Sequence, residues 1–200
     1  MNASSPYSKD FATIWGRYID WGKRRAGENG FLTRQLDQMG ARTILDACLG
    51  DGCDSIYLLQ HGYRVTSNEI DLHFITKAQE NARQHHVSLT ITSQDWRKMH
   101  GFTDASFDAI ICLGNSFTYM QTPEDQRKAL QNFHRILRPE GLLLIDQRNY
   151  DYILQNREEI LKGNFRYSKK FVYCGETVTS YPIAISKNSV TIECNDSITG

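Results

Sequence analysis

The fold of this chain is decided by residues 43–54, which read TILDACLGDGCD. Thr43 to Asp46 is a short apolar segment that predicts a buried strand, and a loop with two glycines follows it. A helical pattern then runs from Cys53 to His61 and ends before Gly62. Ligands of open α/β sheets bind beyond the carboxyl ends of the strands, so this loop is the first candidate binding segment.

Further strands and helices alternate downstream of this segment. We predict strands over 63–67, 87–92, 107–113 and 142–146, and helices over 71–85 and 123–137. The segment FDAIICL at 107–113 is almost wholly apolar, as expected for a central strand covered on both faces. Strand, loop and helix repeating in this order predict a parallel sheet with right-handed crossovers.

The two ends of the chain have different patterns. Aromatic and aliphatic residues from Phe11 to Trp21 have the spacing of one amphipathic helix over 10–26, and a second helix is predicted over 29–39. After a helix over 150–161, residues 170–180 and 189–198 alternate as two strands that are expected to pair antiparallel.

The composition excludes several classes of protein. A chain of 200 residues suits one domain, and 23 basic residues balance 23 acidic ones, which predicts no nucleic-acid partner. The sequence has neither an apolar run long enough to cross a membrane nor a signal-peptide pattern at its polar start. Five widely spaced cysteines favour a reducing cytoplasm over a disulfide framework, and no second pair joins Cys48 and Cys53 to predict a metal site.

The glycine loop discriminates between cofactors. A dinucleotide would favour a third glycine, but the run from Gly50 continues as Asp51, Gly52, Cys53, Asp54 and Ser55. Asp51 and Asp54 also place negative charge where a pyrophosphate would bind. A cofactor without phosphate therefore fits better than a nicotinamide dinucleotide, although a glycine pair by itself also suits an ordinary turn.

Polar residues follow three further strands. Glu69 follows the second strand, where a carboxylate can accept both hydroxyls of a ribose, and Asp95 with Trp96 follows the third, where an acid and an aromatic ring can hold adenine. Asn115 ends the fourth strand. A solvated acid and a core-anchoring tryptophan are the ordinary alternatives for these residues, but together they describe an adenosine-shaped groove.

These segments resemble the class I S-adenosylmethionine methyltransferases, and specifically the glycine and glycine/sarcosine N-methyltransferases. The most specific matches are LGNSF at 113–117 and RNYDYIL at 148–154, joined by WGRYID at 15–20 and the glycine loop. The resemblance covers residues 7 to 165, about four fifths of the chain. It implies a Rossmann-like α/β fold with a helical cap at 1–40, a cofactor-binding core at 41–148, and an antiparallel extension of the same domain at 149–200.

The resemblance also implies the site residues. Asn115, Arg148 and Tyr119 are the expected catalytic residues, and Arg148 is expected to grip the substrate carboxylate in a bidentate pair. The expected substrate-binding residues are Tyr18, Asn115, Arg148 and Tyr167. S-adenosylmethionine is expected to contact Tyr7, Trp15, Tyr18, Arg25, Cys48, Gly50, Gly52, Glu69, Asp95, Trp96, Leu113, Asn115 and Ser116.

The implied function is methyl transfer to the amine of glycine or sarcosine by direct displacement, leaving S-adenosylhomocysteine, by a cytoplasmic protein expected to be monomeric. The alternatives are dimethylglycine or another small-molecule acceptor, a nicotinamide-dependent oxidoreductase, and a non-catalytic cofactor-binding module. The sequence departs from the family at Cys48, where a glycine is usual. It also ends at Gly200 within a β pattern that relatives extend by two strands, so a truncated chain is expected.

Overall fold

The computed structural model describes residues 9–164 and 175–198, and these residues divide into two compact units. We call residues 31–147 the sheet unit, and residues 9–30 together with 148–198 the hairpin unit. Each is described by itself. No helix among the described residues is long and apolar enough to cross a bilayer.

The sheet unit is a parallel sheet with helices between its strands. Its strands, in chain order, are β1 (Thr43–Asp46), β2 (Arg64–Asn68), β3 (Thr90–Thr92), β4 (Phe107–Cys112) and β5 (Leu137–Ile145), arranged in the order β3-β2-β1-β4-β5. Helices are numbered along the chain, so α1 (Lys9–Tyr18) and α2 (Trp21–Glu28) belong to the hairpin unit. The α-helices described in the sheet unit are α3 (Phe31–Gln38), α4 (Cys53–Gln60), α5 (Leu72–Gln84) and α6 (Pro123–Ile136). The predicted parallel α/β sheet is thereby confirmed.

The central strands are buried on both faces because their side chains alternate between two cores. Leu45 and Ile110, which are register partners, pack with Phe133 of α6 on one face. Ile44 and Ile111 pack with Leu36 of α3 on the other face. The near-continuous apolar sequence of β4 follows from this double coverage.

The sheet differs from the prediction at its edges. β3 covers only Thr90–Thr92 of the predicted 87–92, since its ladder with β2 begins at the pair Thr66 and Thr90. β5 begins at Leu137 rather than at residue 142, because Leu137 pairs with Phe107 before the register shifts near Gly141. The prediction missed this part because Pro139 and Gly141 indicate a turn.

The hairpin unit contains four described helices and one β-hairpin. The helices are α1 (Lys9–Tyr18), α2 (Trp21–Glu28), α7 (Tyr150–Gln155) and α8 (Arg157–Glu159), and a π-helical turn spans Ile160–Asn164. β6 (Val178–Ile185) and β7 (Val190–Asp196) pair antiparallel, as predicted. The predicted segment 170–174 lies outside the described residues, and β6 continues past residue 180, where the prediction ended it.

The single helix predicted over 10–26 is wrong, because the chain breaks between α1 and α2. Asp20 is extended there, and its carboxylate caps α2 by accepting a hydrogen bond of 2.8 Å from the backbone N–H of Lys23. A short acidic side chain competes in this way for backbone donors and starts a new helix. The helix predicted over 150–161 is likewise divided at Asn156.

Candidate active site

The loops that carry the predicted site residues of the sheet unit meet at one edge of the sheet. Since β1, β2, β3 and β4 are parallel neighbours, their carboxyl ends lie side by side. We call this the carboxyl edge. The loops that follow these four strands cover 47–52, 69–71, 93–98 and 113–119. Predictions made separately for four strand ends thus fall on one continuous edge.

The glycine loop after β1 needs its two glycines for different reasons. Gly50 has a φ of +54°, and a Cβ built there would meet nothing closer than the Cys48 carbonyl oxygen at 4.0 Å. Gly52 has a φ of +95°, and a Cβ there would lie 3.0 Å from Ile56 Cδ1. Gly52 is therefore required by the packing of α4, whereas Gly50 leaves open space on the loop.

Glu69 is held at the end of β2 by backbone donors. Its Oε2 accepts a hydrogen bond of 3.0 Å from the N–H of Gly50, and its Oε1 accepts bonds from the N–H groups of Ile70 and Asp71 at 2.9 and 3.0 Å. Burial raises the pKa of Glu69 despite these bonds. A carboxylate has about four acceptor positions, so the one left on Oε2 can accept a ribose hydroxyl.

Three buried acids surround the glycine loop. Asp46, Asp51 and Asp54 are at most 9% exposed. Asp46 ends β1 and accepts bonds from Ser55 Oγ at 2.7 Å and from the Cys48 N–H at 3.2 Å. Burial, followed by the charge of Asp54, raises the pKa of Asp46 to about 7. This loop therefore favours a cationic ligand over a phosphate.

Asp95 follows β3 and caps a short 3-10 turn over Trp96–Lys98. Its Oδ1 accepts a bond of 2.9 Å from the Arg97 N–H, and the Arg97 guanidinium pairs with both oxygens, at 2.8 Å from Nε and 2.5 Å from Nη2. This pairing lowers the pKa of Asp95. Asp95 is therefore ionised at neutral pH, but Arg97 engages both of its oxygens, and its predicted contact with adenine stays a prediction.

Trp96 joins two loops of the edge. Its indole N–H donates a bond of 2.8 Å to the carbonyl of Ala47, the residue after β1. Its ring stacks with Phe117 at 6.4 Å between centroids and meets the edge of Phe133 at 5.7 Å. Trp96 thus has the core-anchoring position that was the ordinary alternative, and its predicted contact with adenine stays a prediction.

The loop after β4 is held in an uncommon backbone conformation. Gly114 and Asn115 are both left-handed, with φ values of +67° and +69°. The Asn115 side-chain amide lies 3.3 Å from Thr118 Oγ1, and the Asn115 N–H donates to the Asp146 carbonyl at 3.2 Å. Asparagine is enriched among the non-glycine residues that adopt this conformation, so the residue type suits this turn.

The other predicted residues of this loop take their places beside Asn115. Leu113 directly follows β4, and both of its backbone groups contact the Cys48 thiol. Ser116 begins a 3-10 turn that ends at Tyr119, whose side chain is 49% exposed. Tyr119 therefore lies at the surface of the sheet unit, where a ligand can reach it.

Four predicted residues belong to the hairpin unit. Tyr18 is buried there, 5.5 Å from the Trp15 ring, and its hydroxyl lies 2.9 Å from Ser180 Oγ. Arg25 pairs with Glu28 at 2.6 Å within α2. Arg148 is half-buried just before α7. Their predicted ligand contacts stay predictions, and Tyr7 and Tyr167 lie outside the described residues.

Sequence reasoning missed three polar residues at the carboxyl edge. Asp46 ends β1, Asp146 follows β5 and accepts the Gly114 N–H at 3.3 Å, and Asn68 ends β2. The buried Asn68 side chain exchanges hydrogen bonds of 2.8 and 2.9 Å with the backbone of Gln94. Each of the three ends or follows a predicted strand, and that position was the available signal.

The sequence and the fold both match methyltransferases. Residues 44–141 match a family model described as a methyltransferase domain. The chain is 39% identical, over 88% of its length, to a glycine/sarcosine N-methyltransferase of Parasynechococcus marenigrum (strain WH8102). The chain spans 61% of that relative's length, about three fifths.

Solved structures share the fold. One, a protein of Pyrococcus horikoshii OT3, has a TM-score of 0.65 and 20% identity, with 95% of this chain and 84% of that chain covered. Another, an S-adenosylmethionine-dependent methyltransferase of Clostridium acetobutylicum ATCC 824, has a TM-score of 0.60 and 15% identity, with 93% and 79% covered. The Rossmann-like fold expected from LGNSF and RNYDYIL is confirmed. Over residues 44–141 this chain is similar to methyltransferase domains, and over most of its length its sequence is similar to the glycine/sarcosine N-methyltransferases.

Proposed function

We propose that this chain binds S-adenosylmethionine along the carboxyl edge and transfers its methyl group to the amine of glycine or sarcosine. The observation that carries the proposal is the placement of Gly50, Glu69, Asp95 and Asn115 on four neighbouring strand ends of a methyltransferase domain. The similarity to the glycine/sarcosine N-methyltransferase of Parasynechococcus marenigrum supports the choice of acceptor.

The residues present fit this cofactor. Glu69 has an acceptor position for a ribose hydroxyl, Asp95 is held ionised for an adenine amino group, and Gly50 leaves open space on the loop. The acids around the loop favour the cationic sulfonium and ammonium groups. The same acids disfavour the pyrophosphate of a nicotinamide dinucleotide, which keeps the oxidoreductase alternative behind the methyltransferase.

When bound, the cofactor supplies an electrophilic methyl group on its sulfonium. A neutral acceptor amine would take that methyl group as the carbon–sulfur bond breaks, and the electron pair would stay with S-adenosylhomocysteine. The proposal assigns Arg148 to the substrate carboxylate and Asn115 to the amine, while Tyr119 borders the reacting groups. Orientation by these residues, rather than covalent help, would supply the rate enhancement.

Methyl transfer from labelled S-adenosylmethionine to glycine, sarcosine and dimethylglycine, each assayed separately, tests the proposal. We expect turnover on glycine or sarcosine, and the ratio of their kcat/KM values ranks them. Binding of S-adenosylhomocysteine is measured in parallel by calorimetry. Tight binding without turnover on any of the three would replace the proposal by another acceptor or by a non-catalytic module, and absence of binding would remove the cofactor assignment.

A further inference from the structure

A single thiol connects the loop after β1 with the loop after β4. Cys48 Sγ accepts a hydrogen bond of 3.1 Å from the Leu113 N–H and donates one of 3.3 Å to the Leu113 carbonyl. The backbone ladder between these strands ends just before, at the pair Asp46 and Ile111, with the Ala47 N–H bonded to the Ile111 carbonyl at 2.8 Å. The Cys48 side chain thus extends the hydrogen bonding between β1 and β4 by one residue, to Leu113, where the backbone of the β1 loop no longer pairs.

The protonation state of Cys48 suits both bonds. The adjacent Cys112 thiol and burial raise the pKa of Cys48, so the thiol keeps its proton at neutral pH. A protonated thiol can donate to one group and accept from another at the same time. Both backbone groups of the half-buried Leu113 are therefore satisfied by one side chain.

The far side of the same loop is held by Asp146. Its carboxylate accepts from the Gly114 N–H at 3.3 Å, its carbonyl accepts from the Asn115 N–H at 3.2 Å, and its own N–H donates to the Cys112 carbonyl at 3.1 Å. The direction of Asn115 then depends on where Leu113 and Asp146 hold the two ends of a left-handed dipeptide. On the side of β1, Leu113 is held by its two hydrogen bonds to the Cys48 thiol.

We propose that Cys48 is a positioning residue, which sets the distance between the glycine loop and Asn115 through its two bonds to Leu113. The inference rests on the proposed function, because it is the acceptor amine that Asn115 would orient. The glycine loop has its own attachments, from Gly50 to Glu69 and from Leu49 to Asn68. Loss of the thiol should therefore disturb Asn115, which would orient the substrate amine, more than it disturbs the glycine loop, which would bind the cofactor.

Amide hydrogen exchange followed by NMR tests the attachment without any assay of activity. In Cys48→Ala, we expect the Leu113 amide to exchange about tenfold faster, because its hydrogen-bond acceptor is lost. Cys48→Ser, which keeps a donor and an acceptor, should restore most of the protection. Cys53→Ala, which removes a buried thiol five residues along the chain, should leave the Leu113 amide unchanged. Unchanged exchange in Cys48→Ala would overturn the proposal.

Steady-state kinetics then test whether the hydrogen bonds between Cys48 and Leu113 affect methyl transfer. We expect Cys48→Ala to lower kcat/KM for the methyl acceptor about tenfold and to raise the Kd of S-adenosylhomocysteine by a smaller factor, with recovery in Cys48→Ser. Equal loss of both, with no recovery in Cys48→Ser, would reduce Cys48 to a packing residue and overturn its positioning role. A wild-type chain without turnover on glycine or sarcosine, but with Leu113 protection lost in Cys48→Ala, would instead refute the proposed acceptor and keep the attachment.

Discussion

The substitution Asp46→Asn should remove the part of the pH dependence of the free energy of unfolding that comes from Asp46. Asp46 is 1% exposed, and burial together with the nearby Asp54 raises its pKa from 3.8 to about 7. A carboxyl group whose folded pKa is raised stabilises the fold while it is protonated, and this contribution is lost as the pH rises toward 7. Asparagine is neutral throughout and can still bond to Ser55 and Cys48.

The size of the effect follows from the two pKa values. With 3.8 in the unfolded chain and about 7 in the folded one, ionisation of Asp46 costs about 3 kcal/mol more at pH 8 than at pH 4.5. The free energy of unfolding of Asp46→Asn, minus that of the wild type, should rise by this order between the two pH values. Groups that titrate identically in both proteins cancel in the difference.

Urea unfolding of both proteins at pH 4.5, 6 and 8 measures this difference. Asp108→Asn is the matched control, because the pKa of Asp108 is shifted in the opposite direction. Burial opposes ionisation there, but the N–H groups of Thr43 and Arg42 and the Arg138 guanidinium lower the pKa of Asp108. Asp108→Asn should therefore lose most stability at high pH. A difference for Asp46→Asn that stays constant from pH 4.5 to 8 would refute the reasoning.

Three further substitutions test the candidate site. Glu69→Gln should weaken S-adenosylhomocysteine binding in calorimetry about tenfold and remove the loss of affinity that acidification causes in the wild type through the raised pKa of Glu69; unchanged affinity would remove the ribose assignment. Arg148→Ala should abolish saturation by glycine and leave S-adenosylhomocysteine affinity nearly unchanged, and equal loss of both would contradict the carboxylate anchor. Trp96→Phe should lower the free energy of unfolding by about 1 kcal/mol, because the bond to the Ala47 carbonyl is lost; urea denaturation with no change would show that this bond contributes nothing.

Much of the fold could be predicted because its elements are local in sequence. β1, β4 and α6 are bounded by glycines, a proline and capping residues, and their apolar patterns match the observed burial. The errors lie where a contact overrides the pattern. Asp20 breaks the N-terminal helix through its own side chain, and Leu137 extends β5 because Phe107 is available as a partner.

The candidate site was predictable in position but less so in detail. Strand ends indicated Glu69, Asp95 and Asn115, because the carboxyl edge of a parallel sheet is where ligands bind. The partners of these residues depend on the register of strands far apart in sequence. Cys48 and Leu113 are separated by 65 residues, and only the ladder between β1 and β4 brings them together.

The role of Cys48 in the structure differs from the one its sequence position indicates, because the register of β1 and β4 places Leu113 beside it. In sequence, the resemblance implies a glycine at this position, and Cys48 is expected only to add bulk there. In the structure, its thiol satisfies both backbone groups of Leu113, which a glycine has no side chain to do. If the loop after β4 depends on that thiol, Cys48→Gly should speed the hydrogen exchange of the Leu113 amide as much as Cys48→Ala does. The variant would then have a glycine loop like that of the family, but a less protected loop after β4. Sequence similarity alone would not reveal that the two loops are coupled in this chain.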